Sequence, residues 1–136
     1  LRDKLDPYLQ PLYDALRDMI PPKKLQTLME EGVIQIAPLA YMRGRTLEKA
    51  FVILDEAQNT SIGQLKMFLT RMGFDAKFIV TGDASQIDLP NKRDSGLEKG
   101  VELLKGIKGV SVINFTREDI VRHPLVSKIV DAFEKG

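Results

Sequence analysis

Phe51-Val52-Ile53-Leu54-Asp55-Glu56-Ala57-Gln58-Asn59 is the stretch that decides how the rest of the chain is read. Four apolar residues, two of them β-branched, run directly into two adjacent carboxylates. A short continuous apolar run suits a strand buried on both faces, as in a parallel sheet. Acids at the carboxyl end of such a strand stand where open α/β sheets bind ligands. Taken alone, the stretch reads more simply as a buried strand entering an acidic turn, so the weight falls on its surroundings.

Working outward, Lys77-Phe78-Ile79-Val80-Thr81 reads as a second strand ending in Gly82-Asp83-Ala84-Ser85-Gln86. Neighbouring parallel strands end on the same side of a sheet, so Asp55, Glu56 and Gln86 are expected to converge there. Between the two strands, Ser61-Ile62-Gly63-Gln64 has the form of a capping box. Leu65, Phe68, Leu69 and Met72 follow as the apolar face of a helix that Gly73 closes. Upstream, Leu5, Tyr8, Leu9, Leu12, Leu16, Met19 and Ile20 recur at helical spacing, with Asp6 as N-cap and Pro7 at the first position. Pro11 lies inside that pattern and is expected to cost a hydrogen bond or bend the helix. A second helix spans 23–31 with Gly32 as its C′ residue, and Val33 to Ile36 reads as a short strand. Downstream, a helix fits 95–105, a strand 110–115, and a last helix carries Val126, Ile129, Val130 and Phe133 inward. Strands alternating with helices predict a parallel sheet covered on both faces, in one domain.

Composition narrows the chemistry. A length of 136 residues suffices for a single domain with a real core, and 43% hydrophobic with 29% charged residues is ordinary for a globular protein. A formal charge of +1 says nothing about partners, so nucleic-acid affinity would need a local basic patch. The absence of cysteine excludes disulfides, thiolate metal sites and cysteine nucleophiles, and a lone His123 excludes histidine-rich metal sites. No apolar run approaches the ~18 residues of a membrane span and no signal peptide is visible. A cytoplasmic location without membrane association is the expectation.

The candidate chemistry is phosphoryl transfer. Hydrolysis of a nucleoside triphosphate needs a held Mg²⁺, a positioned water and stabilised charge, with little covalent work by the protein. Asp55 suits the metal and Glu56 the water. Gln86 can both donate and accept, which suits sensing a terminal phosphate or the water, although a solvated turn glutamine would look the same. Arg122, beside His123-Pro124, is placed as an arginine finger or, by spacing alone, as an i−4 partner of Glu118. Arg43-Gly44-Arg45-Thr46 is either a phosphate-gripping loop or a solvated basic one, and Arg93 before Ser95-Gly96-Leu97 is a weaker signal of the same kind.

Together these segments strongly resemble the PhoH-like family of P-loop NTPases. Phe51 to Asn59 is similar to its Walker B stretch, and Thr81-Gly82-Asp83 through Gln86-Ile87-Asp88-Leu89-Pro90 to its helicase-like third motif. The match extends through Ala37-Pro38-Leu39, Arg43 to Thr46, Ser95-Gly96-Leu97 and Val121 to Val126, and back to Asp6-Pro7-Tyr8 with Pro11 to Leu16. The resemblance implies an ATP- and Mg²⁺-dependent domain related to superfamily one helicases, tied to RNA metabolism and able to form homo-oligomeric rings. Carried over, Asp55 is the Mg²⁺ acid, Glu56 the catalytic glutamate, Gln86 the γ-phosphate sensor and Arg122 the finger. Gln58, Asp83 and Arg117 complete the candidate nucleotide-binding set with Asp55, while Arg43, Arg45 and Arg93 are candidate nucleic-acid contacts. RNA and an endoribonuclease are candidate partners.

One departure is large. No glycine here is followed by Lys and then Ser or Thr, so the family's Walker A loop and the strand feeding it are missing. The expectation is therefore an α/β, three-layer P-loop NTPase-like parallel sheet, incomplete without that strand. Residues 1–136 would form the part running from Walker B to the finger, inactive by itself. The competing expectations are a non-enzymatic RNA or protein interaction module and a fragment of a superfamily one helicase.

Overall fold

The computed structural model describes residues 9–136. Its centre is a parallel pair, β1 (Phe51–Leu54) and β2 (Lys77–Val80), registered from Phe51 opposite Lys77 to Leu54 opposite Val80. Parallel strands need a crossover, and α3 (Ile62–Leu69) supplies it. That helix begins where the sequence places it. The Gln64 amide donates to Ser61 Oγ at 3.1 Å and the Ser61 amide donates to Gln64 Oε1 at 2.9 Å, satisfying two otherwise orphaned donors. Leu65 and Phe68 are buried, and the Phe68 ring meets Phe78 of β2 at 5.1 Å between centroids, tilted by 52°. This helix-on-strand contact is the core of the chain.

Burial alternates along both strands. Val52, Leu54, Phe78 and Val80 are half-buried, whereas Phe51, Ile53, Lys77 and Ile79 are exposed. The expectation of strands buried on both faces is therefore corrected: among the described residues, only one face of the pair is covered. Among the described residues the α/β unit carries a two-stranded parallel sheet.

Two predicted strands are absent. Residues 33–36 form a bend and a coil, and 110–116 run without a ladder partner, with Ile113 and Phe115 exposed. Apolar β-branched composition permits extension, but a strand exists only when a neighbour takes its backbone hydrogen bonds.

Helices α1 (Gln10–Met19) and α2 (Pro22–Glu30) contact each other ahead of the sheet. Pro11 neither bends nor breaks α1, contrary to expectation. It is the second helical residue, where the N–H has no intrahelical acceptor to lose. Ile20 is extended (φ −127°, ψ 130°), as a residue before proline prefers, and this ends α1. Gly32 takes φ +74° after α2, the left-handed geometry of a C′ glycine. Leu5, Asp6, Pro7 and Tyr8 lie outside the described residues.

Helix α4 (Leu97–Leu104) packs on α3 through two glycines one turn apart. A Cβ on Gly96 would collide with the backbone of Ile62, and one on Gly100 with the Leu65 side chain. The Gly96 amide donates to the Thr60 carbonyl at 2.7 Å across this contact. Gly73, expected to close α3, acts differently: α3 ends at Leu69, and a Cβ on Gly73 would lie 2.9 Å from Thr46 Cγ2. It permits close approach of the segment leading into β1.

Helix α5 (Pro124–Lys135) starts with Pro124 at its first position and His123 Nδ1 accepting from the Leu125 amide at 3.1 Å. Its apolar stripe does not face inward as expected. Val126, Ile129 and Phe133 are exposed, because no described element lies over them. The chain exposes 11472 Å² in all, against about 7,100 Å² for a compact chain of this size. No helix among the described residues is long and apolar enough to cross a membrane.

Candidate functional site

The carboxyl ends of β1 and β2 are bound to each other by backbone and by side chains. The Thr81 amide donates to the Leu54 carbonyl at 3.0 Å and the Ala57 amide to the Thr81 carbonyl at 2.9 Å, so the chain leaving each strand is tied to the other. Thr81 also donates its hydroxyl to Asp55 Oδ1 at 2.9 Å. This orients one carboxylate oxygen, and no protein donor among the described residues takes the other. Sequence reasoning does not single out Thr81 as a site residue, although its place beside Gly82-Asp83 is a visible signal.

Glu56 sits in the left-handed region at φ +54°, which for a residue with a side chain costs on the order of 1–3 kcal/mol. The turn after it compensates. The Asn59 amide donates to the Glu56 carbonyl at 3.0 Å, starting the 3-10 turn Ala57–Asn59, and the buried Thr60 hydroxyl donates to the Ala57 carbonyl at 2.6 Å. Glu56 remains exposed, while Ala57 and Gln58 after it turn inward and are buried.

Gln58 is 1% exposed, and its amide is consumed by protein partners. Nε2 donates to Glu56 Oε2 and, at 3.3 Å, to the Gln86 carbonyl. Oε1 accepts from the Asp83 amide at 3.1 Å. Expected as a nucleotide contact, Gln58 is thus placed beneath the site.

The 83–86 turn is locked by its own acid. Asp83 accepts from the Ser85 hydroxyl at 2.6 Å, the Ser85 amide at 2.9 Å and Gln86 Nε2 at 2.9 Å. The Ser85 hydroxyl, then its amide, hold the Asp83 carboxyl below its ordinary value of 3.8. Gln86 therefore donates to Asp83 while its side-chain oxygen remains to accept. Asn59 reaches the segment beyond, its Oδ1 accepting from the Asp88 amide at 2.7 Å.

Asp55, Glu56, Gln58, Asp83 and Gln86 are thus brought to one end of the parallel pair. The candidate arginines are not linked to them by any hydrogen bond among the described residues. Arg117 opens the 3-10 turn Arg117–Asp119, which Asp119 closes by accepting from the Thr116 amide at 2.7 Å, and Arg122 lies exposed on the coil before α5. Arg43 and Arg45 flank Gly44 (φ +77°) on an exposed loop, where the Arg45 carbonyl accepts from Arg71 at 3.4 Å. Arg93 lines a shallow groove of about 390 Å³ with Lys92, Lys99, Glu98, Ile87 and Ala84, the last from the turn itself.

A magnesium ion takes oxygen donors, keeps several waters and is held by one or two carboxylates together with substrate phosphates. One oriented, exposed carboxylate at a strand tip matches that donor set. Among the described residues no cluster of three or more His, Asp or Glu side chains forms an all-protein metal cage, which Mg²⁺ does not require.

The comparisons with known proteins show the family. The family described as "PhoH-like protein" matches residues 1–134. A PhoH-like protein of Bacillus subtilis (strain 168) is 61% identical over 135 residues, covering 99% of this chain and 42% of the relative. One from Synechocystis is 58% identical over 136 residues, covering 100% of this chain and 42% of the relative. Protein PhoH of Escherichia coli (strain K12) is 43% identical over 135 residues, covering 98% of this chain and 38% of its own length. The chain spans about two-fifths of the length of the curated relatives it matches.

Proposed function

The chain belongs to the PhoH-like family, and from that premise we propose that it forms the hydrolytic side of an ATPase domain. The observation that carries the reading is the joined strand ends. Asp55 and Glu56 leave one parallel strand, the Asp83–Gln86 turn leaves its neighbour, and side-chain hydrogen bonds tie the two together.

In this reading Asp55, oriented by Thr81, is the carboxylate for Mg²⁺, which when bound offsets phosphate charge. Glu56 accepts a hydrogen bond from the attacking water and aims it at the terminal phosphorus. Gln86 takes the terminal phosphate or that water, and Asp83 presets it through the turn. Arg117 and Arg122 approach the phosphates from outside the cluster, with Arg122 serving a neighbouring subunit's nucleotide in a ring. A guanidinium so placed is worth on the order of 10³–10⁵ in rate in well-studied NTPases. The grip on the β-phosphate comes from residues outside these 136, since no Gly-Lys-Ser/Thr occurs here. Alone, the chain binds ATP weakly and does not turn it over.

The biological setting proposed is cytoplasmic RNA metabolism, with Arg43, Arg45 and Arg93 as phosphodiester contacts and an endoribonuclease as a candidate partner. The exposed Arg43-Gly44-Arg45 loop supports this part of the reading.

The test is Glu56→Gln in the full-length protein. ATP hydrolysis is expected to fall by ~10²–10⁴-fold with nucleotide binding retained. Hydrolysis at the wild-type rate would overturn the proposal.

A further inference from the structure

Gln58 is the one large side chain that is wholly buried among the described residues, and it is polar. Burying a carboxamide is costly unless each of its polar atoms finds a partner. Here both do, with Glu56 on one side and the 83–86 turn on the other. Nε2 donates to the Glu56 carboxylate and to the Gln86 carbonyl, while Oε1 accepts from the Asp83 amide. The amide has only one workable orientation, because flipping it would set an oxygen against a carboxylate and a carbonyl, and an NH₂ against an N–H.

Gly82 adds an independent steric observation. A Cβ there would lie 3.0 Å from Gln58 Oε1 and 3.1 Å from the Gln58 backbone nitrogen, so the entrance to the 83–86 turn rests directly on Gln58. Glu56, for its part, lies outside the strand ladder in left-handed geometry, and its exposed carboxylate is held within the protein by Gln58. Any displacement of the turn carrying Gln86 therefore moves the group that fixes Glu56.

We infer that Gln58 is a positioning residue that couples the 83–86 turn to the Glu56 carboxylate, so that hydrolysis depends on the state of that turn. Gln58 acts through Glu56 and does not touch nucleotide. The inference rests on Glu56 being the hydrolytic carboxylate, and the experiment separates the two.

Variants of the full-length protein are compared with wild type. Gln58→Met keeps length and removes both polar atoms. It is expected to lower kcat for ATP by ~10²-fold, the scale of a 1 Å misplacement, with KM within about twofold. The Asp83 amide, losing its acceptor, exchanges with deuterium faster in the same variant. Gln58→Glu keeps the acceptor but sets a like charge beside Glu56, so kcat falls while the Asp83 amide stays protected. Where that buried charge unfolds the protein, Gln58→Asn replaces it and withdraws the amide from both partners by one methylene, again lowering kcat. Wild-type kcat in Gln58→Met or Gln58→Asn overturns the inference, as does a loss that falls on KM, the mark of a nucleotide contact. Glu56→Gln, measured alongside, distinguishes failure of the coupling from failure of the ATPase proposal. If it is inactive while Gln58→Met is fully active, the coupling fails and the ATPase reading stands. If Glu56→Gln retains the wild-type rate, the ATPase reading itself fails, whatever the Asp83 amide does.

Discussion

The two ends of the small parallel sheet are built by different means. At the amino ends, the Leu47 amide donates to Arg71, Gly73 to Leu47, Lys49 to Phe74 and Lys77 to Ala50, all backbone to backbone at 2.8 to 3.0 Å. Lys49 (φ +52°) and Asp75 (φ +59°) both turn through left-handed geometry there. At the carboxyl ends, the backbone links are supplemented by Thr81, Gln58, Asp83 and Gln86 side chains. An end held by main chain tolerates most side-chain changes. An end held by particular hydroxyls, amides and carboxylates depends on their identity. The difference marks the carboxyl end as the one whose structure depends on side-chain identity.

The largest change expected strikes both ends at once. Phe68 is 2% exposed and packs against Phe78 of β2, so Phe68→Ala should cost ~3–5 kcal/mol. Amide exchange in the full-length protein is expected to rise at both Ala57 and Gly73. Persistent protection at only one of them would show that the ends are separately stable, which breaks the comparison.

A matched pair of glycines sharpens it. Gly82→Ala puts a Cβ 2.7 Å from Leu97 Cδ2 and against Gln58, whereas Gly73→Ala puts one 2.9 Å from Thr46 Cγ2 and 3.1 Å from the Leu47 carbonyl. Overpacking of either kind costs ~1–3 kcal/mol. Only Gly82→Ala is expected to lower ATP hydrolysis, by ~10²-fold, since only it displaces the side chain touching Glu56. Equal rates for the two variants would remove the distinction between the ends.

The smallest effect concerns Asp83. Its carboxyl is held below the ordinary value chiefly by the Ser85 hydroxyl, so the bonds to the ionised form are fully present above pH 3.8 and are lost as pH falls through the lowered folded value. The Ser85 amide resonance should titrate with a midpoint below 3.8 in the wild type and not in Asp83→Asn. A midpoint above that value would mean the turn is not locked by its acid.

Much of this arrangement is legible in the sequence where the signal is local. The capping box at Ser61 and Gln64 and the helix start at Pro124 follow from neighbouring residues, and the parallel relation of Phe51–Leu54 to Lys77–Val80 follows from the helix between them. What is not legible depends on a partner. Val110 to Phe115 has the composition of a strand, but no described neighbour pairs with it. Pro11 reads as disruptive only while its distance from the helix start is unknown. Gly96 and Gly100 carry no mark of the helix that presses on them. The burial of Gln58 is equally invisible: glutamine is usually solvated, and the turn that covers it comes from about thirty residues away.

The left-handed backbone at Glu56 has an evolutionary consequence. Glycine, asparagine and aspartate adopt that geometry most readily, and none of them has the reach of glutamate. Under the proposed ATPase reading, selection for stability and selection for hydrolysis therefore pull this codon in opposite directions. A lineage relieved of the need to hydrolyse should drift first at this position, toward glycine or asparagine.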